Sequence, residues 1–445
     1  MTEIKITEPK NTGHYGRPFA AYFGDIGALG YEEHEYFIEG QAQHVTPTSE
    51  LTMDGKWTIR KNDPALYKTR ILVQLPQDKA KFNGTVLVEW ANNTFGFDDA
   101  INYHSDVYAA GFGIVLVTAQ SVGVHGLNRD PHGLNAWDPE RYKSLNIPDE
   151  NLAYDIFTQV GQLLSVEHSQ DEADPMRGLK VQRKIALGYS QSGTHLCGYV
   201  NAIQPVENVY DGIMLLVGGG FASGFSKLQF PDEPGKKPIP CLVRDDLKIP
   251  VFAINSELEA MMMQKFRRPD DDKYRSWEVT GAAHLSRQGA YLSRDRARLN
   301  SVESPILEIL LGSSQFMDSE WLDLLAPALI AFNNWIDGIS VPASFAPLEV
   351  DEQGQFKRDE NGNALGGVRL PFVEAPLAAY NGTAAGYGGI ETPFTKEKLV
   401  ELYADQEGYL KKITQVSQEA VKNGLITSQQ MQQYIKAAHL TLKFR

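Results

Sequence analysis

Short apolar runs alternate with segments of helical periodicity along the first part of the chain. GTVLVEW (84–90) and GIVLVTAQ (113–120) are rich in valine, which is typical of strands buried on both faces of a parallel sheet. The other runs that predict strands are EYFIEGQAQHV, TRILVQLP, KIALG, YDGIMLLV, IPVFAINS and YRSWEVTG. Because helical segments separate most of these strands, the pattern predicts crossover connections and a mostly parallel central sheet flanked by helices.

Helical periodicity appears once in the middle of the chain and again near its end. DENLAYDIFTQVGQLLSVEH has apolar residues at helical spacing, and Asp149 is placed to cap its start. TKEKLVELYADQEGYLKKITQVSQEAVKNGL and TSQQMQQYIKAAHL also predict helices, with Thr395 and Thr427 as caps.

These elements predict an α/β protein with a core over residues 1–291. A stretch rich in Gly, Pro and Lys at about 219–248 interrupts the core, and we expect it to form a small cap insertion. Residues 292–445 are expected to be loops and helices packed on the core as a C-terminal extension. A small separate domain is the alternative for this extension.

Composition excludes several classes of protein. The formal net charge of −14 argues against nucleic acid and anionic membranes as partners. The two cysteines, Cys197 and Cys241, offer no disulfide framework and are interpreted as buried small hydrophobic residues. No run of about 18 apolar residues is present, and the polar N-terminus does not resemble a secretory signal. We therefore expect a cytoplasmic protein, unless a leader precedes this numbering, and leave the oligomeric state open.

The stretch GYSQSG (188–193) places a serine between a predicted strand and a predicted helix. A nucleophile elbow needs small residues two positions before and after the serine, because the strand and helix backbones nearly touch there. Gly188 and Ser192 meet this need around Ser190, although glycine is usual at the second place and here Gly193 follows one residue later. The alternative is an ordinary surface turn or helix cap.

A serine nucleophile needs a base, and the base needs an acid that orients it. His284 follows the predicted strand YRSWEVTG, and Glu257 and Glu259 follow the strand before it, which is the order serine, acid, histidine expected in this fold. The spacing alone does not choose between the two glutamates. His195 lies on the helix after the serine and is interpreted as a packed core residue. The remaining histidines precede the serine or lie in the tail: His14, His34, His44, His104, His125, His132, His168 and His439.

Two backbone N–H groups are needed to bind the oxyanion of an acyl-transfer reaction. We expect one from Gln191 and the other from Asn92 or Asn93, in the loop after GTVLVEW. The two asparagines could equally serve as turn formers. The residues predicted to bind substrate are Trp90, Tyr189 and Phe95, with ordinary core packing as the alternative for each.

Motifs in the same order over nearly the whole chain resemble a bacterial α/β-hydrolase-domain family of roughly this length, whose members carry a GxSQSG elbow. The matching strings are YEEHEYFIEGQA, FNGTVLVEWANN, AQSVGVHGL, YDIFTQVGQLL, GYSQSG, NSELEA, WEVTGAAH and the helical tail after PFT. The resemblance implies an α/β-hydrolase fold with Ser190 as nucleophile and His284 as base. It also implies an acid at Glu259, where the family typically has aspartate, so Glu257 stays in contention.

The combined expectation is a serine hydrolase that cleaves small carboxylic esters through an acyl-enzyme intermediate. The chain has no HExxH string and its histidines are scattered, so we expect no metal and no organic cofactor. An acyltransferase with the same three residues and a non-catalytic ligand-binding relative are the alternatives. The sequence does not indicate which ester is the substrate.

Overall fold

The computed structural model describes residues 4–127, 132–166, 173–218, 220–227, 238–313, 315–319 and 321–441. The strands in this part of the chain are β1 (Lys5–Thr7), β2 (Tyr31–Pro47), β3 (Ile59–Pro76), β4 (Thr85–Trp90), β5 (Gly113–Val117), β6 (Arg183–Tyr189), β7 (Gly212–Leu216), β8 (Phe221–Ala222), β9 (Ile239–Pro240), β10 (Val251–Asn255), β11 (Tyr274–Glu278), β12 (Ala378–Asn381) and β13 (Ile390–Pro393).

The helices in the same residues vary from one turn to almost five. They are α1 (Ser105–Ala109), α2 (Ser121–His125), α3 (Leu134–Trp137), α4 (Pro139–Tyr142), α5 (Ala153–Leu163), α6 (Gln191–Ala202), α7 (Gln204–Glu207), α8 (Glu257–Met262), α9 (Arg287–Leu299), α10 (Pro305–Ser313), α11 (Leu325–Ile336), α12 (Pro371–Glu374), α13 (Lys396–Tyr403), α14 (Gln406–Lys422) and α15 (Ser428–Leu440).

Nine of the strands in the described residues form one sheet, in the order β1-β2-β3-β5-β4-β6-β7-β10-β11. The six strands from β5 to β11 are parallel. At the other edge β1, β2 and β3 run antiparallel, and β3 pairs antiparallel with β5. The mostly parallel sheet predicted from the apolar runs is therefore confirmed.

The valine-rich runs form strands because both of their faces are covered. Every residue of β4, β5, β7 and β10 is buried. Leu87 and Val88 point to opposite faces of the sheet, as successive strand residues must. Leu87 packs in the core cluster that contains Phe332 of α11, whereas Val88 packs in the cluster that contains Phe157 of α5 and Leu196 of α6. The sheet thus lies between two helical layers, as predicted.

The predicted helix caps are found at their expected positions. The Asp149 side chain accepts a hydrogen bond from Asn151 N–H at the start of a short 3₁₀ turn that leads into α5. The Thr395 side chain caps α13, and Thr427 forms a capping box with Gln430 at the start of α15. The segment predicted as one long helix before α15 is divided into α13 and α14, because Ala404 takes a positive φ of 66° and Asp405 caps a new helix.

Residues assigned to the C-terminal extension take part in the main core. Helix α11 covers one face of the sheet, and Phe332 packs against Phe252 of β10 with ring centroids 5.8 Å apart. Helix α9 runs across the boundary placed between residues 291 and 292, and the division into a core and an extension stays a prediction. Helices α13–α15 contribute most of a smaller apolar cluster of their own, which includes Leu399, Tyr409 and Ile413.

Of the predicted cap insertion, residue 219 and residues 228–237 lie outside the described residues. Within its described part, β8 and β9 pair antiparallel as a two-stranded ladder. None of the helices within the described ranges is both long and apolar enough to span a membrane.

Candidate active site

Ser190 lies on a strained turn between β6 and α6. Its φ of 53° and ψ of −121° are rare for a residue with a side chain. The turn is possible because its neighbours are small: a Cβ on Gly188 would lie 2.7 Å from the Ser192 carbonyl oxygen, and one on Gly218 would lie 2.8 Å from the Ser190 carbonyl oxygen. This close approach is the reason for the small residues that the sequence places around the serine.

His284 lies in the loop after β11, and its imidazole contacts the side chain of Ser190. Its Nε2 atom lies 2.9 Å from Ser190 Oγ, and its Nδ1 atom lies 2.7 Å from Glu259 Oε1. The side chains of His284 and Glu259 are 13% and 9% exposed, so this polar chain is largely shielded from water. The structure therefore brings together Ser190, His284 and Glu259, which the sequence placed far apart.

Glu259 is held in position by the start of α8. Ser256 caps this helix, and Glu259 Oε2 accepts hydrogen bonds from the Ser256 N–H at 3.1 Å and the Ser256 hydroxyl at 2.5 Å. The second carboxylate oxygen is left for His284. A capping box thus fixes the carboxylate that orients the imidazole.

Glu257 faces away from the histidine, because residues two apart on a helix point about 200° from each other. Its Oε1 accepts from Gly281 N–H at 2.8 Å, and its Oε2 accepts from Gly382 N–H at 3.0 Å and from the Arg358 guanidinium at 3.2 Å. Burial raises the pKa of Glu257, and the Arg358 charge opposes that rise. Glu257 therefore ties the loop that carries His284 to the C-terminal part of the chain.

Two of the predicted oxyanion donors lie beside Ser190. Gln191 is the first residue of α6, where a backbone N–H has no acceptor within the helix. The Asn93 N–H donates to the side-chain oxygen of Gln191 at 3.2 Å, so it points toward the same turn. The Asn92 N–H donates to the Asp99 carbonyl at 2.9 Å, and its side chain donates to the Tyr189 carbonyl.

The Gln191 side chain is held by a buried glutamine that the sequence analysis missed. The Gln120 side-chain oxygen accepts from the Gln191 amide and from the Trp90 indole, each at 3.2 Å. Gln120 is completely buried. The only sequence signal for it is its place in the string AQSVGVHGL, directly after the apolar run of β5.

Trp90, which was predicted to bind substrate, has a fully buried side chain. Its ring packs 4.7 Å from Phe157 and 5.6 Å from Tyr154, on the face of the sheet that α5 covers. Tyr189 is partly buried and donates its hydroxyl proton to Asp99, and Phe95 is 9% exposed. For these last two, substrate contact stays a prediction.

His195 is a packed core residue, as predicted. Its Nδ1 lies 3.1 Å from the Gln191 carbonyl and 3.2 Å from the Ser223 hydroxyl. Burial lowers the pKa of His195 to about 4, so its imidazole is neutral at physiological pH.

Two residues near the site come from far along the chain and carry no local sequence signal. Arg358 is the ion-pair partner of Glu257. Tyr387 is half exposed, its ring centroid lies 4.9 Å from that of His284, and its carbonyl accepts from Leu285 N–H. Trp321 fixes the same loop, because its indole donates to the His284 carbonyl at 3.2 Å. Within the described residues, no cluster of side chains suited to hold a metal ion is present.

A family model described as the alpha/beta hydrolase domain matches residues 6–436. Together with the mostly parallel sheet and its flanking helices, this match shows that the chain belongs to the α/β-hydrolase domain family and has its fold. No curated protein sequence matches the chain.

The chain is also similar to solved structures of enzymes, at low identity. Brefeldin A esterase, described as a bacterial homologue of human hormone-sensitive lipase, is 9% identical over 45% of this chain, with a TM-score of 0.24, and the match spans 44% of that esterase. Esterase Est22 is 10% identical over 61% of this chain and 80% of its own, with a TM-score of 0.32. A dienelactone hydrolase from Anabaena variabilis ATCC 29413 is 13% identical over 59% of this chain and 96% of its own, with a TM-score of 0.29. With scores this low, these likenesses carry no argument about activity.

Proposed function

We propose that this protein is a serine hydrolase that cleaves carboxylic esters through an acyl-enzyme intermediate. The observation that carries the proposal is the continuous hydrogen-bonded chain from Ser190 through His284 to Glu259, with contacts of 2.9 and 2.7 Å. A serine that is hydrogen-bonded to an imidazole, which is in turn oriented by a carboxylate, is the arrangement that makes a hydroxyl nucleophilic at neutral pH.

The Glu259 carboxylate has only acceptor atoms when it is ionised, so the atom of His284 that faces it must carry a proton. Nδ1 is then the donor, and the lone pair of Nε2 faces Ser190 Oγ. In this tautomer His284 takes the serine proton as Oγ attacks the ester carbonyl carbon. The imidazolium that forms is stabilised by the carboxylate, and it then protonates the departing alcohol. A water molecule activated by the same histidine releases the acid.

The N–H groups of Gln191 and Asn93 would donate hydrogen bonds to the negatively charged oxygen of the tetrahedral intermediate and stabilise it. In the structure the Asn93 N–H donates to the Gln191 side-chain oxygen. The substrate oxygen must therefore displace this side chain before it can use the second donor. The scheme moves protons only between Ser190, His284, the ester and water, and it requires no metal or cofactor.

Hydrolysis of p-nitrophenyl esters of graded chain length, with aryl esters and lactones included, tests the proposal and narrows the substrate class. We expect the wild-type protein to release p-nitrophenol and Ser190→Ala to be inactive while its thermal unfolding is unchanged. Ser192→Ala is the matched control, because Ser192 is fully buried and its hydroxyl bonds the N–H and carbonyl of Tyr189. Full activity of Ser190→Ala on every ester that the wild type cleaves would contradict the proposal.

A further inference from the structure

The two cysteines of the chain contact each other in the core. Cys197 Sγ lies 3.8 Å from Cys241 Sγ, and both are free thiols with completely buried side chains. They are the only cysteines among the 445 residues.

The pair joins α6 to the segment that follows β9. Cys197 lies on α6, and Cys241 directly follows β9. Asn201, one turn further along α6, donates to the Leu242 carbonyl at 2.8 Å and accepts from Arg244 N–H at 3.0 Å. Residues 242–244, which directly follow Cys241, are thus already held along α6 by non-covalent bonds.

We propose that Cys197 and Cys241 form a disulfide when the protein is exposed to hydrogen peroxide, and that this bond joins residues 239–244 covalently to α6. The sulfur atoms must approach from 3.8 Å to about 2.05 Å, which is a short movement for two side chains already in contact. The Asn201 side-chain amide also donates to Cys241 Sγ, at 3.6 Å.

The reaction takes place in two balanced steps. One thiol attacks a peroxide oxygen, so an S–O bond forms, the O–O bond breaks, and a sulfenic acid and water result. The other thiol then attacks that sulfur, so the S–S bond forms, the S–O bond breaks, and a second water leaves with the thiol proton. Each sulfur loses one electron, and each of the two peroxide oxygens gains one.

The surroundings of the pair determine which oxidant is suitable. The hydrogen bond with Cys197 and burial both raise the pKa of Cys241, so its reactive thiolate is scarce. Exchange with a bulky disulfide such as oxidised glutathione requires access that completely buried thiols do not offer. A small uncharged peroxide meets the steric requirement, and the neighbouring thiol then captures the sulfenic acid before further oxidation.

The cross-link would close a loop of 44 residues, which runs from α6 through β7, β8 and β9 to Cys241. Closing a loop of this length restricts the unfolded chain and stabilises the folded state. For a chain of this size we expect Tm to rise by about 4 °C on oxidation. Because the readouts are covalent structure and Tm, this inference does not depend on the proposed esterase activity.

The test is to treat the full-length protein with hydrogen peroxide, remove the excess with catalase, alkylate the remaining thiols in denaturant, and map peptides without reduction. We expect one linked peptide pair, Cys197 with Cys241, simultaneous loss of both alkylatable thiols, a higher Tm, and recovery of both thiols when the denatured protein is treated with dithiothreitol. Cys197→Ser and Cys241→Ser are the matched controls. Each variant keeps one thiol, so neither should show the linked pair or the rise in Tm. Any change in the Tm of these variants after peroxide treatment measures the effect of oxidation at other residues, such as methionine.

The mapping of the wild-type protein is decisive even if a variant fails to fold. Two outcomes would overturn the proposal. In the first, both thiols stay alkylatable after peroxide treatment. In the second, sulfinic or sulfonic acid accumulates on either cysteine, or a linkage forms between two molecules, without the intramolecular bond.

Discussion

Glu259 and Glu257 lie two residues apart on α8 and face opposite parts of the molecule. Glu259 Oε1 lies 2.7 Å from His284 Nδ1, whereas Glu257 accepts from Gly281, Gly382 and Arg358. The two carboxylates therefore make separate contacts: one hydrogen-bonds the imidazole of His284, and the other holds the loop that carries this histidine.

Glu259→Gln tests the first contact. The amide keeps the shape but removes the charge, so it no longer stabilises the imidazolium and also permits the wrong tautomer. We expect kcat for ester hydrolysis to fall by roughly 10²–10⁴ with little change in KM. Steady-state kinetics on the best p-nitrophenyl ester checks this. An almost silent substitution would mean that Glu259 is not the acid.

Glu257→Gln tests the second contact and is the matched control for the first. A glutamine offers one oxygen where Glu257 uses two, so at least one buried N–H, of Gly281 or Gly382, loses its acceptor. This should lower the free energy of unfolding by about 1–3 kcal/mol. In the protein that remains folded, kcat should fall less than about tenfold, as expected for a supporting contact. Denaturant unfolding and kinetics on the same preparation separate the two effects. A crippled kcat at unchanged stability would transfer the role of the acid to Glu257.

Gln191→Met tests whether the Gln191 side chain covers the second oxyanion donor. Methionine has a similar length but its side chain has no oxygen to accept a hydrogen bond from the Asn93 N–H. The substrate oxygen then reaches this N–H without first breaking a neutral hydrogen bond, which is worth about 1 kcal/mol. We expect kcat/KM to rise about fivefold. Gln191→Glu retains an acceptor and should show no gain. If kcat/KM falls in the methionine variant, the side chain positions the loop and does not block it.

Glu89→Gln tests a buried carboxyl outside the site. Glu89 is 1% exposed, accepts from Ile101 N–H and the Tyr103 hydroxyl, and burial raises its pKa from 4.5 to about 7. Between these pH values Glu89 keeps its proton in the folded state and releases it in the unfolded state. The contribution of Glu89 to the unfolding free energy of the wild type therefore decreases as pH rises from 4.5 to 7.

The glutamine variant has no proton to lose at this position. Its unfolding free energy relative to wild type should therefore rise by about 3 kcal/mol over this interval and stay constant above it. Urea unfolding at several pH values measures the difference. The exposed Glu352→Gln should show no such rise. A difference that does not change with pH would show that Glu89 titrates as it does in the unfolded chain.

The sequence predicted those site residues that directly follow strands of the parallel sheet. Ser190 and His284 each follow a parallel strand, and the carboxyl ends of parallel strands lie at one edge of the sheet, so their proximity follows from the fold class. The fold class does not distinguish Glu257 from Glu259 as the partner of His284. That distinction depends on the exact start of α8, because the Ser256 cap places Glu257 first in the helix and Glu259 in the capping box.

The remaining features depend on contacts that local pattern does not encode. The Asn92 N–H pairs across its loop with Asp99. Trp90 ends a buried strand and lies on the face of the sheet that α5 covers. Arg358 and Tyr387 reach the site from distant loops, and neither lies in a recognisable motif.

The central claim is that Ser190 alone is activated, and the most direct measurement is covalent labelling with a fluorophosphonate. The wild-type protein should gain one adduct, which peptide mapping places on Ser190 in the peptide IALGYSQSGTHLCGYV, and Ser190→Ala should gain none while it unfolds like the wild type. Label found chiefly on another serine, or equal labelling of Ser190→Ala and wild type, would contradict the account.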